Sequence, residues 1–312
     1  MWIVLCGDRL DGVAGAAIIV RAARMRDTPC KVGGVFRVDE MSVLSTVLAG
    51  EQNAMLFLVG VSPDGIPGLG TLLPQVALRN VVAYWACHGT VAEDALDLVR
   101  KHARVMDIVG GSQSCVAELV QKRLLPNDPV ARMIAAITAD MEFGVRKDER
   151  GGKLQELLAS GIDPKQMIEV LSKGAFWTDE WETARERYVA RRSAWHEELM
   201  NHLTIKQCGS QRFGFGLAPQ GLPADDATGH ILEKHDGVDV AVAVCKDARV
   251  VFRLREGVGL DAQGIASAFG GRGCKVDGFG VVDGYKSVTW ENWDDVLFAM
   301  ERKLKGLLEP AS

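Results

Sequence analysis

At 312 residues the chain is long enough for two domains of ordinary size, each with its own core. Apolar residues make up 47% and charged residues 25%, with mean hydropathy near zero, which excludes a disordered chain and reads as a soluble globular protein. The net charge of −5 excludes general adhesion to DNA or to an anionic membrane, while leaving room for a local basic patch that binds phosphate.

In chain order, residues 2–6 read as a buried strand, and the Asp8 and Arg9 that cut its apolar run short mark it as a strand, not a signal peptide. A helix is expected from Asp11 to Arg26, with Val13, Ala16, Ala17 and Val20 on one side. Further short apolar runs follow at 30–36, 54–61 and 80–85, with helical stretches at 39–48 and 91–103. Strands alternating with helices predict a parallel, doubly wound sheet, whose ligand crevice lies at the carboxyl ends of the strands. Gly110 to Ser114 opens another helix, with Ser112 or Ser114 as its N-cap, and Asp128-Pro129 starts one that ends near Ala139 to Phe143.

Between Gly161 and about Ile205 the composition turns helical and charged: Asp163-Pro164 caps one helix, and Asp179 to His202 mixes Arg185, Arg187, Arg191 and Arg192 with several glutamates. That stretch reads as a connector packed on Trp177, Trp181 and Trp195. The C-terminal part begins near Thr204. Val238–Cys245 and Arg249–Leu254 read as a hairpin turning at Lys246-Asp247-Ala248. A helix at 261–269, a glycine-rich loop, strands at 280–282 and 287–290, and an amphipathic helix over 293–308 through Val296, Met300, Leu304 and Leu307 complete it. The fold class expected is α/β: a doubly wound domain over 1–160, a helical connector over 161–203 and a smaller α/β domain over 204–312. No apolar run is long enough to span a membrane. Seven scattered cysteines, with no Cys-x-x-Cys pair, point to reduced thiols in a cytoplasm.

The glycine-rich stretch carries a family resemblance. Arg255 after a strand, then Ile265-Ala266, Phe269-Gly270-Gly271-Arg272-Gly273 and Gly278-Phe279, resembles the DHH-associated C-terminal domain of the DHH phosphoesterases. In that family the arginine and a histidine closing the glycine run hold substrate phosphate; here Cys274 stands in the histidine's place. The family's first motif, His-x-Asp-x-Asp-Gly, is similar to Gly7-Asp8-Arg9-Leu10-Asp11-Gly12, where Asp11 alone matches a metal ligand. Gly60 stands where the second motif has aspartate, Ala86-Cys87-His88 lines up with the Asp-His-His signature, and Asp140 matches the last metal aspartate.

Manganese-dependent hydrolysis needs carboxylates and imidazoles converging on two cations. With Gly7, Arg9, Gly60, Ala86 and Cys87 at ligand positions, the resemblance implies a degenerate site that binds phosphate without cleaving it, and no metal cofactor. Arg9, His88, Arg255 and the loop Gly270, Gly271, Arg272, Gly273 and Cys274 are the expected ligand contacts, and a phosphorylated small molecule, nucleotide or short oligonucleotide is the expected partner. One alternative is an active phosphodiesterase working through Asp11, His88 and Asp140, with Cys87 helping to hold manganese or zinc. Another is a structural or regulatory protein that pairs with itself or a protein partner through an apolar patch including Trp177, Trp181, Trp195, Trp290 and Trp293.

Overall fold

The computed structural model describes residues 1–36, 52–66, 68–88, 91–109, 114–143, 145, 147–273 and 275–308. The expected helix at 39–48, together with Ser112 and Cys274, lies outside them. The chain divides into two compact units, Met1–Arg187 and Tyr188–Ser312.

The first unit is built on five parallel strands, β1 (Trp2–Gly7), β2 (Cys30–Phe36), β3 (Met55–Val59), β4 (Val82–His88) and β5 (Arg104–Val109), in the order β2-β1-β3-β4-β5. β1 is buried along its whole length, as a central parallel strand must be, and its side chains alternate between two cores. Trp2, Val4 and Cys6 face α1 (Leu10–Met25), whereas Ile3 and Leu5 face the core shared with α2 (Leu69–Leu78) and Val99 of α3 (Glu93–His102). Helices on both faces make the sheet doubly wound, as the alternating pattern predicted.

On the α1 face lie α4 (Val116–Leu124), α5 (Pro129–Glu142), α6 (Glu149–Ala159) and α7 (Pro164–Ser172). Arg21 of α1 ties that helix to α5 and α7: its guanidinium forms a two-pronged pair with Asp128 at 2.7 and 2.9 Å and donates to the Ser172 carbonyl. The same Asp128 accepts from the Ala131 amide at the start of α5, and the hydrogen bonds from Arg21 hold its carboxyl below the usual range. Met167, Ile168, Leu171 and Trp181 join this core, so the stretch read as a connector, 161–203, is shared between the two units. The division falls inside the long helix α8 (Asp179–Asn201).

The second unit carries a six-stranded mixed sheet, ordered β10-β11-β9-β8-β7-β6. Its strands are β6 (Thr204–Cys208), β7 (Gln211–Leu217), β8 (Val240–Val244), β9 (Arg249–Leu254), β10 (Arg272–Gly273) and β11 (Asp277–Val281). β8 and β9 form the expected antiparallel hairpin, turning through Ala248 at φ +62. One face packs on α10 (Ala262–Ala268) and α11 (Trp293–Leu308), and the other on α9 (Ala224–Lys234). The strand expected at 287–290 is instead a loop. Asn292 holds it by accepting from the Thr289 amide at 2.8 Å and donating to the Ser287 carbonyl at 3.0 Å. Leu307, expected on the buried face of the last helix, is exposed. Among the described residues no helix is long and apolar enough to cross a membrane.

Candidate functional site

In a 2-1-3-4-5 sheet the strand order reverses between β1 and β3, and the crevice belongs at their carboxyl ends. Here that edge is closed by glycine packing. A Cβ on Gly7 would lie 2.5 Å from the Gly60 carbonyl oxygen, one on Gly12 would lie 2.6 Å from the Gly7 carbonyl oxygen, and one on Gly60 would lie 2.8 Å from the Gly12 Cα. Gly60 also has φ +64, which disfavours any side chain. The first turn of α1 therefore sits flush against the ends of β1 and β3. Positions 7 and 60, where the resemblance implies a histidine and an aspartate, have no room for either while the backbone keeps this course.

Asp11 lies in that first turn and is only 4% exposed. Its two carboxylate oxygens accept from the Val116 and Ala117 amides at 2.9 Å each, the first two amides of α4. A helix N-terminus presents unsatisfied donors and a positive dipole end, and Asp11 meets both from another element. The cap residue of α4 is Cys115, in place of the expected Ser112 or Ser114: its thiol accepts from the Glu118 amide, and the Glu118 side chain accepts from the Cys115 amide. Burial, and then the Asp11 carboxylate, push the Cys115 thiol pKa well up. The start of α4 thus holds an internal carboxylate.

Asp140 is engaged in the same way. Its oxygens accept from the Lys147 and Asp148 amides at 3.1 and 2.9 Å, closing the turn between α5 and α6. Cys87 is buried, and that burial, with Asp64 adding to it, pushes its thiol up to about 12, so it stays protonated at neutral pH. His88 closes β4. No three His, Cys, Asp or Glu side chains converge among the described residues. Among the described residues the arrangement does not fit a pair of hard cations: two of the carboxylates, Asp11 and Asp140, are bonded to backbone amides, and backbone fills the place where others would project. Arg9 occupies the N-cap position of α1, is exposed, and makes no capping hydrogen bond with its own side chain.

In the second unit Arg255 follows β9. Its Nε donates to the Val238 carbonyl at 2.8 Å and its Nη2 to the Leu232 and His235 carbonyls at 2.7 and 2.6 Å. A cationic fork on the last carbonyls of α9 satisfies both the helix dipole and the orphaned acceptors. The glycine run ends α10 with a Schellman motif: Gly270, at φ +64, donates to the Ser267 carbonyl, and Gly271 to the Ala266 carbonyl at 2.9 Å. A Cβ on Gly271 or Gly273 would overlap the carbonyl oxygen of Phe279 or Asp277 on the adjacent β11, so glycine is needed there for backbone packing. Trp177 and Trp181 stack edge to face in the first unit, with Trp181 buried; Trp293 is buried in the second unit and Trp290 is exposed. Sequence reasoning also passed over a cluster between α8 and α9. Arg192 forks onto Asp226 at 2.6 and 2.8 Å, His196 lies 3.3 Å from the same carboxylate, and the His196 and His230 rings stack at 3.7 Å. Arg192 and His196 one turn apart on one helix, with Asp226 and His230 one turn apart on the next, were the available signal.

No family model and no curated protein matches this sequence. Solved structures do match in fold. The DHH domain of a protein assigned to a family of ribosomal proteins aligns with a TM-score of 0.65 at 13% identity, over 97% of this chain and 86% of that one. The exonuclease RecJ bound to manganese gives 0.60 at 12%, over 96% and 89%. The pGpG-specific phosphodiesterase PggH from Vibrio cholerae gives 0.56 at 10%, over 98% and 99%. At such identities the likeness is one of fold, and the fold is that of DHH-domain proteins.

Proposed function

We propose that this protein binds a phosphorylated ligand, a nucleotide or short oligonucleotide, and does not hydrolyse it through a two-cation centre. The observation that carries this reading is the mutual close packing of Gly7, Gly12 and Gly60, which fills the strand edge where cation ligands would stand. The same edge carries the N-terminus of α1 and an exposed arginine, Arg9, at its N-cap position, and both favour an anion. Two neighbours in fold are described as an exonuclease and a pGpG-specific phosphodiesterase, which points the ligand class toward nucleotides. Arg9, the first-turn amides of α1 and His88 are the proposed contacts. Arg255 and Gly271 contribute by shaping the second unit, since their donors already serve protein carbonyls.

Calorimetric titration with pyrophosphate, mononucleotides and linear dinucleotides tests the reading, with Arg9→Glu as the control that reverses the local charge. Saturable binding that weakens at least tenfold in Arg9→Glu is expected. Silence across the panel, or turnover of a model phosphodiester with added manganese, overturns it.

A further inference from the structure

The second unit carries a cavity of about 380 Å³ at the carboxyl ends of β7 and β8, a parallel pair in an otherwise antiparallel set of described pairings in that sheet. Two indoles, Trp195 and Trp290, line it, together with Lys246, Glu198, Gln220 and Thr289. We infer that this cavity is a nucleobase pocket, in which the indoles stack a purine and Lys246 meets the phosphate attached to it. The inference rests on the nucleotide-binding reading above and assigns that ligand class a second place to bind.

Trp290 is the informative residue. It is 44% exposed, yet two rings pack against it. The His202 ring lies 4.6 Å from it and Trp293 packs edge-on at 6.1 Å. The loop that carries it is stapled by the two Asn292 hydrogen bonds, to the Thr289 amide and the Ser287 carbonyl. A large aromatic surface kept in water and kept still is arranged in advance for a flat partner, because ordering it on binding then costs little. Trp195 is fixed from behind: Gly221, at φ +103, packs so closely on the indole that a Cβ there would lie 2.7 Å from the ring, and Tyr188 packs edge-on at 6.1 Å.

The polar groups select within flat ligands. Lys246 donates to the neutral Gln220 side chain at 3.3 Å and has no carboxylate within ion-pair distance among the described residues, so its charge remains to be matched. The Lys246 carbonyl accepts from the Val288 amide at 2.8 Å, which fastens the lysine's backbone to the loop that bears Trp290. Glu198 supplies an acceptor for N–H groups on a base edge, and guanine offers adjacent donors of that kind. A volume of this size falls within the range of small-ligand sites, about 300–1,000 Å³.

The test is titration of the full chain with GMP and, separately, with guanosine, read by tryptophan fluorescence and calorimetry. Trp290→Ala is expected to weaken GMP and guanosine alike by roughly 5- to 150-fold, the loss of one base–aromatic stack. Trp290→Phe should restore most of that affinity, and circular dichroism of both variants controls for folding. Lys246→Ala should weaken GMP while leaving guanosine within twofold. Unchanged GMP affinity in both Trp290→Ala and Lys246→Ala overturns the pocket. Inorganic pyrophosphate separates the two readings: if it binds and guanosine does not, the pocket falls and the anion site at α1 stands. Guanosine binding without pyrophosphate binding supports the pocket and removes the α1 site.

Discussion

Replacing Asp11 by Asn distinguishes a structural carboxylate from a cation ligand. The native carboxylate accepts two amide hydrogen bonds at 2.9 Å in a buried setting. Asparagine keeps one acceptor and turns an NH2 group toward the other amide, donor against donor. One charge-assisted bond is lost, worth about 1.5–3 kcal/mol, and a buried amide is left unpaired at about 1–3 kcal/mol. The sum, about 2.5–6 kcal/mol, is a large share of the roughly 5–15 kcal/mol that holds a domain folded. With a urea m-value of about 2–3 kcal/mol per molar, the unfolding midpoint should fall by about 1–3 M. Urea titration followed by far-ultraviolet circular dichroism reads this without added ligand or metal, and Asp27→Asn, at an exposed position with φ +49, serves as the control, expected within about 0.5 kcal/mol of wild type. If Asp11→Asn is as stable as wild type, the carboxylate is not holding α4, and the reasoning that removes it from a cation site fails.

Gly60→Ala should destabilise the first unit by about 1–3 kcal/mol, since it combines a left-handed backbone with a Cβ pressed on the Gly12 Cα; a fall in thermal midpoint of about 2–4 °C per kcal/mol would record it, and an unchanged midpoint would contradict the packing. Arg255→Lys keeps the charge and loses the fork, so it should lower urea stability by about 2 kcal/mol while leaving pyrophosphate affinity within twofold; lost affinity with normal stability would return Arg255 to the ligand. The stacked His196 and His230 both have pKa values held below 6.5, first by burial; for His230 the neighbouring His196 adds to this, while Asp226 opposes the shift at His196. A depressed folded pKa means that the unfolded chain binds the proton first, so the stability from this pair is present above about pH 6.5 and is lost as pH falls through the folded values. Arg192, Asp226, Glu233 and Lys234 are the charged groups that face the pair. His230→Gln should flatten the drop in denaturation midpoint between neutral and mildly acidic pH, and an equally steep drop in the variant would contradict this.

The central strands β1 and β3 were legible because they are buried on both faces and read as unbroken apolar runs, with α1 close to its expected bounds, while β5 was not read. Elements that escaped notice carry a local contradiction. The helix at Leu69–Leu78 has Pro74 inside it, and β7 alternates Phe213 and Phe215 with Gly214 and Gly216, which lie against Ile231 and Leu199 where larger residues would collide. The helix Ala224–Lys234 is polar and contains Gly229, so its apolar stripe is thin. At the site, residue types were readable and partners were not. Asp11 finds its amides 105 and 106 residues away, and Arg255 finds helix carbonyls that periodicity had not placed. The glycine run was read as a place for phosphate, whereas the close approach that Gly271 and Gly273 make is to β11, a partner that local sequence does not reveal.

The most direct measurement is paired calorimetry of the freshly purified full chain, with manganese chloride in one titration and pyrophosphate in the other. The expected result is saturable one-to-one binding of pyrophosphate that weakens in Arg9→Glu, with no stoichiometric binding of manganese. Manganese bound at whole-number stoichiometry, and lost in Asp11→Asn and Asp140→Asn while both variants remain folded, would contradict it.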